Sequence, residues 1–248
     1  MSYSSGTGER FPVTRSTLLQ EIGSPDLEVR RRALGTLIQV YWRPVYGYLR
    51  LRWGQSRQDA EDLTQEFFLR AMEGNYFERY DPSIARFRTF LRTCLDGFMA
   101  NIGRAAGRQK RGGGSTWLSL DFDLAEADLA GVSVEGEQEM DRFFHQEWVR
   151  GVLALSVTGL KEHCEGHRKA LAFEVFQRYD IDAAESARPT YQSLADALGQ
   201  PVTQVTNHLA YARREFRRIV LERLRDLTAS DAEFRAEAES LLGIRDLS

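Results

Sequence analysis

His163, Cys164 and His167, in the run H-C-E-G-H, have the most reactive side chains in this 248-residue chain. Histidines four residues apart share one helix face, a spacing that can bind zinc. No third and fourth ligand stands nearby, as a closed tetrahedral site requires, so no metal is expected. The stretch GRAAGRQKRGGG, ending at Gly114, is basic and glycine-rich. It lacks the preceding strand and the closing Lys-Ser/Thr of a phosphate-binding loop. No Ser/His/Asp set or carboxylate pair is placed for catalysis. The chain is expected to be non-enzymatic and to need no cofactor.

What remains is chemistry of binding. In the run from Ser56 to Met72, Asp59, Asp62 and Glu66 fall within one narrow arc of a helix, beside an apolar arc of Ala60, Leu63, Phe67 and Ala71. An acidic ridge on a helix wedged into a core suits a basic protein surface and repels DNA; a merely solvated face is the plain alternative. The next helical run has another outer face, with Thr89, Thr93, Gly97, Ala100 and Arg104 together. Small side chains let a polynucleotide backbone approach while Arg86, Arg104 and Arg108 neutralise phosphates. Asn101 at its rim could read a base edge. Packing of small residues against another helix is the competing reading.

A third surface comes from YQSLADALGQPVTQVTNHLAYARREFRR. Leu194, Ala195 and Leu198 line the inner face of one helix, Gly199 makes a tight turn, and Pro201 is tolerated at the start of the next. Val202, Val205, Leu209, Ala212 and Phe216 bury that second helix. Its opposite face carries Thr203, Gln204, Asn207, Tyr211, Arg214 and Arg218, with His208 at the edge. Such residue types bond base edges and phosphates in a major groove, so a helix-turn-helix is expected.

Helices must position all three surfaces. Leu27 to Arg52 reads as one or two helices, with Pro44 a break or a kink. Ser56 with Asp59 three residues on resembles a capping box. Phe87, Phe90, Leu91, Cys94, Leu95, Phe98, Met99 and Ile102 form an unbroken apolar stripe. Ser230 caps a last short helix ending near Gly243. No alternating strand pattern is present.

Charge is partitioned, although the net value is only −3. Seven basic residues face one acid between Arg86 and Arg111, and eight acids face no base between Gly112 and Asp141. From Arg213 to Arg225, six arginines face two acids. This pattern suggests two nucleic-acid-facing surfaces joined by an acidic connector. Trp117, Leu118, Leu120, Phe122 and Leu124 within the connector imply that parts of it dock. No apolar run approaches the roughly 18 residues of a membrane span, and two cysteines build no disulfide framework. A cytoplasmic protein without a membrane span is expected.

DAEDLTQEFF, followed by FRTFLRTCLDGFMAN and a basic run, closely resembles region 2 of sigma-70 superfamily factors of the extracytoplasmic-function type. Val202, Val205, Leu209, Ala212 and Arg213 are similar to the pattern of their region 4. The opening FPVTR…YWRPVYGYLR and the run Lys110 to Gly114 are similar to a subgroup common in planctomycetes. The resemblance implies an all-α fold of two small helical domains: region 2 over 11–111, an acidic linker over 112–142, region 4 over 143–228 and a helical extension over 229–248. It implies that Asp59, Glu61, Asp62, Gln65 and Glu66 bind core RNA polymerase. Arg86, Phe87 and Arg88, with Asn101, Arg104, Arg108, Lys110 and Arg111, would capture the non-template strand of the −10 element and help melt it. Thr203, Gln204, Asn207, His208 and Tyr211 would read the −35 duplex, with Arg213, Arg214 and Arg218 on phosphates. The aromatic pair with which primary sigma factors melt DNA has no counterpart, and region 3 is absent. An anti-sigma factor or a regulatory kinase is a further partner that the resemblance allows. The alternative is a stand-alone helix-turn-helix regulator that binds duplex operators without polymerase.

Overall fold

The computed structural model describes residues 18–74, 76–105, 120–183 and 188–243, and contains no strand among them. After a single turn, α1 (Leu18–Glu21), comes α2 (Leu27–Leu51), whose N-terminus Asp26 caps by accepting from the backbone N–H groups of Glu28 and Val29. Pro44 lies inside α2, which continues through it. The proline has no N–H for the carbonyl of residue 40. That carbonyl faces Gly151 of α6 (Glu137–Gly166), where a Cβ would lie 2.5 Å from the Val40 oxygen and 3.0 Å from its Cα. Pro44 and Gly151 together let the α2 and α6 backbones touch, and this seam organises the molecule. Leu37, Val40, Val45, Tyr46 and Leu49 of α2 are fully enclosed around it. Each such aliphatic side chain contributes about 1.5–3 kcal/mol by leaving water.

Ser56 caps α3 (Arg57–Glu73), its Oγ accepting from the Asp59 N–H at 3.1 Å and donating to the Asp59 carboxylate at 2.6 Å. Ala60, Thr64, Phe67, Phe68 and Ala71 bury the inner side of α3. A 3₁₀ turn, Tyr76–Arg79, leads to α4 (Phe87–Ala105). Its expected apolar stripe is enclosed at Phe87, Leu91, Leu95, Phe98 and Met99 and half-buried at Phe90, Cys94 and Ile102.

The segment expected to be an extended acidic connector carries a helix and the start of a second in its described part, with residues 130–136 irregular between them. Phe122 opens α5 (Phe122–Leu129) and packs edge-on to Trp42 at 5.4 Å and beside Tyr46 at 5.2 Å. Glu126 accepts from Arg50 and from the Tyr46 hydroxyl, each at 2.5 Å. Asp128 pairs with Arg43 at 2.5 Å, Asp123 with Arg57, and Arg92 with both Glu137 and Asp141. The acids are held because arginines on α2, α3 and α4 face them. Trp117 and Leu118 lie outside the described residues.

The C-terminal half continues with α7 (Ala170–Phe176), a π turn over Gln177–Ile181, α8 (Tyr191–Leu198), α9 (Val202–Leu227) and α10 (Asp231–Leu242). The apolar clusters do not follow the expected domain boundaries. The larger joins α1–α4 to Phe144, Trp148 and Val152 of α6, Val220 and Leu224 of α9, and Phe234 and Ala238 of α10. The smaller lies between the far end of α6, α7, α8 and the first half of α9. Because α6 and α9 run 30 and 26 residues, each spans both clusters and ties them together.

Candidate nucleic-acid interface

Burial of the inner side of α3 leaves its acidic ridge outward. Asp59 and Asp62 are exposed, and Glu61, Gln65 and Glu66 are half-buried. Arg57 bonds Glu61 at 2.8 Å, and Arg70 pairs with Glu66 one turn on, so part of the ridge is internally neutralised. Asp62 pairs with no described residue.

On α4 the apolar stripe turns Thr89, Thr93, Gly97, Ala100, Asn101 and Arg104 outward, all exposed. Arg104 bonds the Asn101 side-chain oxygen at 2.7 Å and the Ala100 carbonyl at 3.2 Å, which fixes the Asn101 amide with its nitrogen turned away. Behind this face, Asp96 accepts from the Tyr48 hydroxyl at 2.9 Å and from the Trp53 indole at 3.2 Å, anchoring the helix to α2. Arg108, Lys110 and Arg111, expected to extend the basic surface, lie outside the described residues, as do Phe11 to Arg15 and the run Lys110 to Gly114.

The first turn of α4 differs from expectation. Phe87 is 2% exposed, with ring centroids of Tyr41, Tyr80 and Phe77 at 5.5, 5.1 and 5.7 Å. It is a core residue and offers nothing to a nucleic acid. Periodicity had placed it on the apolar stripe while the resemblance placed it with the DNA contacts, and packing follows the periodicity. Arg88 lies over the Trp148 ring at 5.5 Å and bonds Glu237 of α10 at 2.6 Å. Arg86 reaches the same carboxylate oxygen at 3.1 Å, and His145 the other oxygen at 3.0 Å. Sequence reasoning missed Glu237. The signal was a carboxylate between Phe234, Ala238 and Leu241, on what is otherwise the apolar side of the last helix.

A second omission is Ile84, 82% exposed in the loop before α4. The loop is shaped by Asp81, whose carboxylate accepts from the Ser83 N–H at 2.8 Å and hydroxyl at 2.7 Å. Those bonds hold the Asp81 carboxyl below the usual range. A hydrogen-bonded turn thus presents a bare apolar side chain in the loop that leads into α4.

In the C-terminal half, Thr190 caps α8, accepting from the Ser193 N–H at 3.0 Å. Gly199 ends it in the left-handed region at φ 61°, where a side chain would be strained, and Pro201 precedes α9. Leu194, Ala195, Val205, Leu209 and Ala212 close the angle between the helices. Thr203, Gln204, Asn207, Arg213, Arg214 and Arg218 are exposed along α9, and His208 and Tyr211 are half-buried. Burial, then the Lys169 charge, lower the His208 pKa, which keeps its ring neutral near pH 7. Tyr211 is fixed by His163 Nε2 at 3.0 Å from its hydroxyl, with Arg214 over its ring at 5.3 Å. Two expected phosphate contacts are engaged within the chain. Arg213 bonds both oxygens of Asp180, at 2.8 and 2.7 Å, and Arg218 bridges Glu215 at 2.9 Å and Glu222 at 2.8 Å.

The H-C-E-G-H run is packed. The His163 and His167 rings lie 4.1 Å apart, His167 Nδ1 bonds the His163 carbonyl oxygen at 2.8 Å, and His163 faces Tyr211 and Glu215. No cluster of three metal-ligating side chains occurs among the described residues. Nor is any described helix long and apolar enough to cross a membrane.

Residues 37–109 match the family model described as Sigma-70 region 2, an interval that starts within α2 and takes in all of α3 and α4. No curated protein and no solved structure matches the chain.

Proposed function

From the sigma-70 region 2 domain at residues 37–109, we infer that this chain is a sigma factor, a non-enzymatic subunit that brings core RNA polymerase to promoters. The observation that carries the reading is the coincidence of that match with two opposed surfaces. The acidic ridge of α3 suits a basic polymerase surface, and the small-residue and arginine face of α4 suits a DNA strand. Within this reading, Asp59, Glu61, Asp62, Gln65 and Glu66 dock on polymerase. Asn101 and Arg104, with Arg86 and Arg88 once released, hold the non-template strand of the −10 element. Ile84, on its fixed turn, is placed to wedge beside an unstacked base.

The α8–α9 pair serves as the helix-turn-helix of region 4. Thr203, Gln204, Asn207 and Tyr211 are the base-reading candidates for the −35 element, and Arg214 is the phosphate contact least committed to the chain itself. A net-acidic protein gains little from DNA alone. Docking on polymerase supplies the second promoter contact at high effective concentration, so two weak readers act as one. The site of action is then the cytoplasm, with the polymerase.

Mixing the purified chain with core RNA polymerase tests the reading by co-elution and by run-off transcription from a genomic library. Co-elution and promoter-specific transcripts are expected, and Asp62→Arg is expected to abolish both while leaving helicity unchanged. Duplex binding without polymerase, and no co-elution, would instead identify a stand-alone operator-binding regulator.

A further inference from the structure

Glu237 is an unusual residue for the inward face of a docked helix. It is 2% exposed, and Phe234 one turn before it and Ala238 next to it belong to the larger apolar cluster. Burying a carboxylate is costly unless every oxygen is paired. Here one oxygen accepts from Arg88 at 2.6 Å and Arg86 at 3.1 Å, and the other meets His145 at 3.0 Å. Burial favours the neutral acid, yet the His145 hydrogen bond and the Arg88 charge outweigh it and bring the pKa down to about 2. The group is an anion seated among cations. Those cations stand at the first turn of α4, continuous with the exposed Thr89, Thr93, Gly97 and Arg104 face.

A cleft of about 340 Å³ opens beside this seat, lined by Arg86, Arg88, Thr89, Arg92, Arg142 and His145, with Asp141 and Phe144 completing it. Arg92 is 8% exposed, and its Nε is buried without a partner. Its remaining nitrogens are held by Glu137 and Asp141. Asp141 of α6 lines the groove, and Glu237 of α10 holds two of its arginines. A groove lined by guanidinium groups is the chemistry that takes backbone phosphates.

We propose that Arg86 and Arg88, at the edge of the α4–α6 groove, seat a backbone phosphate of the promoter strand, and that Glu237 on α10 holds both guanidinium groups in the free chain as an internal competitor. Binding of the strand expels the carboxylate and undocks α10. The free protein is thereby kept from nucleic acid until polymerase presents the strand at high local concentration. This rests on the reading of α4 as the strand-binding face.

The test uses the full chain and a labelled single-stranded oligonucleotide, followed by fluorescence anisotropy over a salt series. Glu237→Gln keeps the shape and removes the charge. It is expected to tighten binding about tenfold by removing the cost of opening. The salt slope should stay that of the wild type, because both complexes make the same phosphate contacts. Adding Arg88→Ala to that variant should abolish the gain. Hydrogen exchange on the wild-type chain gives a readout independent of the variants: saturating oligonucleotide should strip protection from the α10 amides. If Glu237→Gln binds with wild-type affinity, or α10 stays protected in the complex, the proposal is overturned, although the wild type still opens promoters with polymerase. If no variant binds promoter DNA even with polymerase, the sigma-factor reading falls, and this inference with it.

Discussion

An internal carboxylate held as an ion must make stability depend on acid. A Glu237 pKa of about 2 in the folded chain, against an ordinary 4.5, corresponds to roughly 3 kcal/mol of folding free energy at neutral pH. Because the folded value lies below the unfolded one, this contribution is complete above about pH 4.5 and drains as pH falls towards 2. At about pH 3 the same relation leaves less than half of it, so about 2 kcal/mol is lost on acidification from about pH 5.5. The facing groups are Arg86 before α4, Arg88 in its first turn and His145 on α6. The perturbation is Glu237→Gln, which keeps one acceptor oxygen and the side-chain shape and does not titrate. Guanidinium unfolding of both proteins at several pH values isolates the contribution, because every other carboxylate is common to the pair. The wild-type advantage is expected to shrink by about 2 kcal/mol between about pH 5.5 and pH 3. A constant advantage across that range would refute the claim that the folded chain holds Glu237 ionised between Arg86, Arg88 and His145.

Two further outcomes follow from other parts of the structure. Gly151→Ala would put a methyl group 2.5 Å from the Val40 carbonyl oxygen, a backbone atom that cannot swing aside. A loss of about 1–3 kcal/mol or more is expected in urea unfolding, and a neutral result would mean that α2 and α6 are not in close contact. Asn207→Ala should cost about 1–3 kcal/mol of discrimination at one base position of the upstream promoter element, measured with polymerase on a panel of promoter variants, while co-elution with polymerase is unchanged. A uniform loss across the panel would show that Asn207 does not read a base.

Much of the local structure was legible because its causes lie within a few residues. Ser56 and Ser230 cap helices because a hydroxyl reaches an N–H three residues on, and the caps of α3 and α10 stand where those residues stand. The α4 stripe is a matter of period, and the same period settles that Phe87 belongs to the core. The resemblance drew Phe87 into the DNA contacts because a motif carries no statement of which way a side chain points. Likewise a run of eight acids reads as a repelling, extended connector until the arginines on α2, α3 and α4 are set opposite it.

The sequence by itself determined the helical class, the capped starts of α3 and α10, and the separation of acidic from basic surfaces, since each depends on short-range periodicity, capping and composition. Only the tertiary structure decided that α2 passes through Pro44. The carbonyl deprived of its donor lies against a glycine of α6, more than a hundred residues away in the chain. It alone brought Glu237 to Arg88 and Arg86 across sequence separations of 149 and 151 residues. Such a contact is chosen by how the apolar faces of α4, α6 and α10 pack, and no local pattern encodes its partner.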